Sequence, residues 1–186
     1  MQLNKELSVA KSLFEQKKYE DSIAASLKVL SCDSKSIKAL IIIGKCMLSI
    51  SRIDDARLYL AKLLAIEPEN YEAITILGQA CQAVGDISTA KEYYRKATSI
   101  NGEYLQALIA LGCIESDFGS KDQAIYLLKK AIGLAPKVSL IWHRLANNYL
   151  ERSDSKEAEV CMLRAIELSP NIADYHNELG HILHLK

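Results

Sequence analysis

The sequence predicts an all-α protein built from antiparallel helix pairs that repeat every 34 residues. Two series of small residues and one series of prolines indicate this period. The first series is Ala10, Gly44, Gly78, Gly112, Ala146 and Gly180, and the second is Ser22, Ala56, Ala90, Ala124 and Ala158. The prolines share one register: Pro68, Pro136 and Pro170, with Gly102 at the intervening position. A fixed period of this length is the signature of a repeat architecture.

Each series has a physical reason. The small residues are expected where the two helices of a pair cross closely, because a larger side chain would push the backbones apart. Bulky aliphatic residues that fill the space between helices precede the first series: Val9, Ile43, Leu77, Leu111, Leu145 and Leu179. The prolines are expected to end each second helix, since proline lacks a donor and disfavours helix in the residue before it. Gly85-Asp86 and Gly119-Ser120 predict turns within two of the pairs.

Two stretches carry a family resemblance. The first is Ile74, Leu77, Gly78, Cys81, Gly85, Asp86, Ala90, Tyr94 and Ala97, and the second is Trp142, Leu145, Ala146, Tyr149, Ala158, Ala165 and Pro170. Both resemble the tetratricopeptide repeat, and the second keeps its signature tryptophan and tyrosine. The resemblance covers the whole chain as one domain, 1–186, with units at 3–36, 37–70, 71–104, 105–138 and 139–172 and the first helix of a sixth at 173–186. It implies a right-handed superhelical solenoid with the first helices on the concave face.

Some residues depart from the repeat pattern. Glu6 and Ser22 make the first unit more polar, which is typical of a terminal repeat with one face in solvent. Glu115 stands where Tyr149 stands one unit later. A carboxylate at such a packed position needs a partner or partial access to solvent.

The balance of charge excludes some partners. Lys plus Arg and Asp plus Glu each total 23, which gives a net charge of zero. This argues against a duplex nucleic-acid binder, whose affinity depends on cations that neutralise phosphates. The most apolar run, Ala39 to Gly44, is too short to insert into a membrane.

Cysteine usage and the polar N-terminus predict a cytoplasmic protein. Met1 to Glu6 lack the apolar segment of a secretory signal. The five cysteines contain no C-x-x-C pair, so they suit neither a disulfide framework nor a zinc site: Cys32, Cys46, Cys81, Cys113 and Cys161. We expect them to pack as small apolar residues in a reducing compartment.

The resemblance places the ligand groove on the first helices, and the helical register identifies the residues that face it. The candidate binding residues are Lys38, Ile41, Ile42, Lys45, Thr75, Ile76, Gln79, Gln82, Ile109, Cys113, His143, Arg144 and Asn147. The same register adds Asn4, Leu7, Ser8, Lys11, Glu72, Gln106, Ala110, Ser116, Leu140, Asp174, Asn177, Glu178 and His181. Aliphatic residues that alternate with amides suit a peptide with apolar anchors. The alternative is that each aliphatic packs against a neighbouring helix.

The two-carboxylate clamp of co-chaperone tetratricopeptide domains can be tested on the sequence. That clamp needs Lys and Asn four apart, then Asn, then Lys and Arg four apart, on three successive first helices. The corresponding residues of the first three units are Leu7, Lys11, Ile42, Glu72 and Ile76. Aligning the clamp pattern to begin at a later unit gives no better match. The sequence therefore predicts that this clamp is absent.

No catalytic, cofactor or metal motif is present in the sequence. Phosphate loops, nucleophile elbows and H-E-x-x-H pairs are all missing. His181 and His184 are three apart on the last helix but have no third ligand in register. We therefore predict a protein that is not an enzyme and that binds no cofactor or metal.

The leading interpretation is a scaffold that binds a partner peptide or helix in its concave groove. One alternative is a substrate-presenting region in front of a larger enzyme, such as a glycosyltransferase or sulfotransferase. The other is self-association through an uncapped edge on the last helix, formed by Leu179, Ile182 and Leu183.

Overall fold

The computed structural model describes residues 2–185, and within them it contains eleven α-helices and no strand. This confirms the predicted all-α fold. The helices are α1 Gln2–Glu15, α2 Tyr19–Cys32, α3 Ile37–Ser49, α4 Ile53–Ile66, α5 Tyr71–Ala83, α6 Ile87–Ile100, α7 Leu105–Phe118, α8 Lys121–Leu134, α9 Ser139–Glu151, α10 Ser155–Leu168 and α11 Ala173–His184.

Consecutive helices pair as hairpins. The pairs are α1 with α2, α3 with α4, α5 with α6, α7 with α8, and α9 with α10, while α11 packs on α10. The helices fall into two compact units, one that ends at Ile100 and one that begins at Asn101.

Three of the four glycines of the first small-residue series lie at close helix crossings, as predicted, and the exception is Gly180 on the last helix. A Cβ atom on Gly78 would be 2.6 Å from the ring of Tyr94, and one on Gly44 would be 2.9 Å from Leu60. On Gly112 it would be 3.1 Å from Leu128. The second helix of each of these hairpins therefore places a large side chain directly over the glycine of the first.

The second helices end where the prolines predict. α4, α8 and α10 end at Ile66, Leu134 and Leu168, each two residues before a proline. α6 ends at Ile100, two residues before Gly102, so the register holds where glycine replaces proline. Proline cannot donate to the helix ladder and restricts the residue before it, which explains the common end point.

The turns inside the hairpins share a backbone feature that the glycines alone did not reveal. Lys17, Ser51, Gly85 and Ser153 have φ between 60° and 82°. They occupy the same position in their units, and only one of them is glycine. Gly119 holds this position in the fourth hairpin but has φ −138°.

Two of the three polar departures from the pattern, Ser22 and Glu115, have partners. The Ser22 hydroxyl is fully buried and donates to the Ala10 carbonyl at 2.7 Å, which joins α2 to α1. Glu115 is 3% exposed, and its carboxylate accepts from the Ser120 backbone N–H at 3.2 Å. The carboxylate therefore binds the start of α8, which supplies the partner that its burial demands.

Candidate functional site

A concavity of about 750 Å³ lies on the first helices of the unit that ends at Ile100. We call it the α1–α3 groove, because ten of its eleven lining residues come from those two helices. The lining residues are Asn4, Leu7, Ser8, Lys11, Phe14, Glu15, Lys38, Ile41, Ile42, Lys45 and Glu72. The helical register predicted all of them except Phe14 and Glu15. Those two residues follow Lys11 by three and four positions, so they lie on the same face of α1 one turn further along. The helical register would have predicted them if it had been continued by one turn.

The floor of the α1–α3 groove is apolar and held by the core below it. Ile41 packs against the buried cluster that contains Leu40 and Leu60, and Ile42 packs against the cluster around Ile43. Ile41, Ile42 and Leu7 are each half-buried. The floor is therefore fixed by α3 and still reachable from solvent, as a binding pocket requires.

The rim of the groove carries lysines and glutamates. The Lys45 ammonium lies 2.6 Å from the Glu72 carboxylate, which joins α3 to α5. The Lys11 ammonium lies 3.9 Å from the Glu15 carboxylate on the same helix. Lys38 is exposed and makes no ion pair with any residue in the described range 2–185.

Two candidate residues on α5 are not accessible, and the prediction that they face a ligand was wrong. Ile76 is 2% exposed and belongs to the same buried cluster as Leu40 and Leu60. Thr75 is 1% exposed, and its hydroxyl donates to the Tyr71 carbonyl of its own helix at 2.8 Å. For Ile76 the alternative stated for the aliphatic residues, packing against neighbouring helices, is what the structure shows.

The other two candidates on α5 are exposed. Gln79 lies on the surface, outside the lining of the α1–α3 groove. Gln82 is also exposed, but its side-chain oxygen accepts from the Tyr94 hydroxyl at 3.0 Å. This bond joins α5 to α6, so Gln82 has a structural partner inside its own hairpin.

In the unit that begins at Asn101, the candidate residues on α9 are bonded to other side chains. His143 Nε2 lies 2.8 Å from a Glu178 carboxylate oxygen and 3.3 Å from the Asn147 amide nitrogen. The His143 ring also stacks on Tyr175, with centroids 4.7 Å apart. Arg144 donates to Asp117 at 3.1 Å. These contacts connect α9 with α7 and α11.

The candidates on α7 lie beside a buried polar contact that the sequence did not predict. The Asn148 amide donates to the Ser116 hydroxyl at 2.8 Å, and both residues are buried. Ile109 and Cys113 are half-buried. Burial raises the pKa of the Cys113 thiol, which keeps it neutral and unreactive.

The predicted C-terminal edge is only partly exposed. Ile182 is fully buried because α11 packs on α10, so its place in an exposed edge was wrong. Leu183 is exposed and Leu179 is half-buried. Self-association through these two residues stays a prediction.

Within residues 2–185, no group of three or more His, Cys, Asp or Glu side chains is arranged to hold a metal. No helix in that range has the length and apolar character needed to cross a membrane.

Helix hairpins of 34-residue period, with a concavity on their first helices, define the chain as an α-helical repeat protein. The tetratricopeptide repeat profile matches residues 71–104, 105–138 and 140–172, which is just over half of the chain. The chain belongs to the tetratricopeptide repeat family. Its fold is consistent with a protein–protein interaction scaffold. Sequence comparison with the curated proteins gives no significant match.

Solved structures share the fold at low sequence identity. A thermophilic tetratricopeptide protein of Thermus thermophilus aligns with TM-score 0.76 and 20% identity over 98% of this chain and 99% of its own. YrrB, described as a tetratricopeptide protein with an unusual peptide-binding site, aligns with TM-score 0.69 and 18% identity over 93% and 89%. The APC/C hetero-tetramer Cut9–Hcn1 aligns with TM-score 0.86 and 18% identity over 96% of this chain and 36% of its own.

Proposed function

We propose that this protein is an interaction scaffold that binds a segment of a partner protein in the α1–α3 groove. The observation that carries the proposal is the groove itself, whose apolar floor is reachable from solvent and has charged side chains at its rim. An apolar centre with a polar rim is typical of protein interfaces. The peptide-binding site named for the similar structure YrrB supports the same kind of ligand.

The neighbouring polar contacts favour this groove over the first helices of the other unit. His143 and Arg144 on α9 already have side-chain partners, so a ligand would have to replace those contacts. In the α1–α3 groove Ile41 and Ile42 pack against apolar clusters, and Lys38 has no ion-pair partner among residues 2–185. Binding there costs fewer existing interactions.

The test is a selection of peptides from a displayed library on the purified protein, followed by measurement of Kd for variants. The variant Leu7→Asp with Ile41→Asp places two carboxylates on the apolar floor, so we expect the selected peptides to bind at least about tenfold more weakly. Leu58→Asp is the matched control, because Leu58 is 54% exposed on α4 and lies outside the groove. Circular dichroism checks that the variants keep their helicity. Equal Kd values for the parent and the groove variant would refute the proposal.

A further inference from the structure

We propose that the α1–α3 groove selects an internal peptide segment in which an aliphatic residue lies between two acidic residues, spaced three or four positions apart. This inference rests on the proposed function and specifies its ligand. Three features carry it: the charge of the groove, the positions of the available lysines, and the place of the apolar floor between them.

The groove has an excess of positive charge. Its lining contains three lysines and two glutamates, which gives a net charge of +1. Glu72 neutralises Lys45 at 2.6 Å. Lys11 and Glu15 are 3.9 Å apart, with side chains that are 73% and 63% exposed. An exposed pair of this kind contributes little, so Lys11 can exchange Glu15 for a ligand carboxylate.

The two available lysines lie at different levels along the groove. Lys38 is the register equivalent of Asn4, since the two are 34 positions apart. Lys11 follows Asn4 by seven residues along α1, a rise of about 10 Å. An extended peptide covers about 3.3 Å per residue, so carboxylates three or four positions apart span this rise and part of the sideways step from α3 to α1.

The apolar floor lies between the levels of the two lysines. Leu7 on α1 and Ile41 and Ile42 on α3 occupy the turns between the Lys38 level and the Lys11 level. A ligand that pairs with both lysines therefore places its intervening residues over the floor, where an aliphatic side chain removes apolar surface from water.

The groove does not require a chain terminus in its ligand. A terminus supplies one carboxylate, so at least one of the two carboxylates that meet the separated lysines is a side chain, and an internal segment supplies both. The residues at the two-carboxylate clamp positions support this distinction: Glu72 brings a negative charge to one of them, and Ile76 at another is 2% exposed. The groove therefore differs from a clamp in both the number and the placement of its cations.

The experiment uses the peptides selected on the full chain, synthesised with an acetylated N-terminus and an amidated C-terminus. We expect the selected sequences to be enriched in the acidic–aliphatic–acidic pattern. Replacing each acidic residue by its amide should weaken binding about two- to fivefold, as expected for partly exposed ion pairs. Lys38→Gln and Lys11→Gln should weaken the acidic peptide by similar factors, and each should leave the matching amide peptide unchanged.

Lys28→Gln is the matched control, because Lys28 is an exposed lysine on α2 outside the groove. Raising the salt concentration should weaken the acidic peptide more than its amide form, since exposed ion pairs are screened. This inference would be overturned if Leu7→Asp weakened the binding of the selected peptides but replacing both of their acidic residues by amides left the Kd unchanged. That result would leave the scaffold proposal standing. A selection in which binding is insensitive to Leu7→Asp overturns the scaffold proposal itself.

Discussion

At the scale of single residues, Gly78 and Gly180 occupy the same position of the repeat but have different neighbours. A Cβ on Gly78 would lie 2.6 Å from the Tyr94 ring, whereas a Cβ on Gly180 meets no atom within 4 Å. We predict that Gly78→Ala lowers the free energy of unfolding by about 1–3 kcal/mol, because the ring is rigid and fully buried. Gly180→Ala should raise it by about 0.5–1 kcal/mol, since alanine is the better helix former.

Urea denaturation followed by circular dichroism measures both changes. The comparison is controlled internally, because the same methyl group is added at the same position of two repeats. If the two variants changed stability in the same direction, the close approach of Tyr94 to Gly78 would not be the reason for that glycine.

The reactivity of the cysteines gives a second prediction at this scale. Desolvation by burial raises the pKa of the Cys161 thiol to about 11. The reactive species is the thiolate, so at pH 8 only about one thiol in a thousand is reactive at Cys161. We expect iodoacetamide at pH 8 to modify exposed Cys32 first and buried Cys161 far more slowly, as followed by mass spectrometry of peptides.

The unfolded protein is the control, because in urea the two cysteines should react at comparable rates. Equal rates in the native protein would contradict the burial of Cys161. Raising the pH towards 11 should accelerate the reaction of Cys161, since the thiolate fraction increases as the pH approaches a raised pKa.

At the scale of elements, four of the five hairpin turns have one backbone position with positive φ. Ser51 has φ 61° and Gly85 has φ 82° at equivalent positions. A non-glycine residue in this conformation costs about 1–2 kcal/mol, part of which glycine recovers. We predict that Ser51→Gly stabilises the protein by about 0.5–1 kcal/mol and that Gly85→Ser destabilises it by a similar amount.

Thermal or urea unfolding of both variants measures the effect, and Ser49→Gly is the control. Ser49 lies in the last turn of α3, so glycine there should destabilise the helix. A destabilised Ser51→Gly variant would show that the Ser51 side chain supports the turn in a way that its backbone conformation does not reveal.

At the scale of the whole molecule, the α1–α3 groove lies within one compact unit. All its lining residues precede Ile100, where that unit ends. The stability of stacked repeats comes mainly from contacts within repeats and between neighbours. We predict that a fragment of residues 1–100 folds and binds the selected peptides with a Kd within about threefold of the full chain.

Isothermal titration calorimetry of the fragment measures this Kd, after circular dichroism has confirmed its helices. In the full chain, Arg144→Ser should leave the Kd unchanged, because Arg144 lies on α9 and pairs with Asp117. A fragment that is folded and does not bind would show that the ligand needs residues beyond Ile100.

The sequence by itself determined the fold of this protein. The 34-residue period, the small residues at helix crossings and the prolines after second helices were enough to define the hairpins. The reason is that each feature acts locally and recurs along the chain. Gly78 lies beneath Tyr94 and Gly44 beneath Leu60, because both helix crossings leave no room for a larger side chain. The groove residues of α1 and α3, except Phe14 and Glu15, also followed from the helical register.

Only the tertiary structure decided which residues of that register a ligand can reach. Ile42 and Ile76 share one position of the repeat, yet Ile42 is half-buried in the groove and Ile76 is 2% exposed in the core. His143 likewise faces Glu178 and Tyr175, which are distant in the sequence. A repeat pattern specifies the direction of a side chain relative to its own helix axis. Whether another helix covers that side chain, or another residue pairs with it, depends on long-range contacts that differ from one unit to the next.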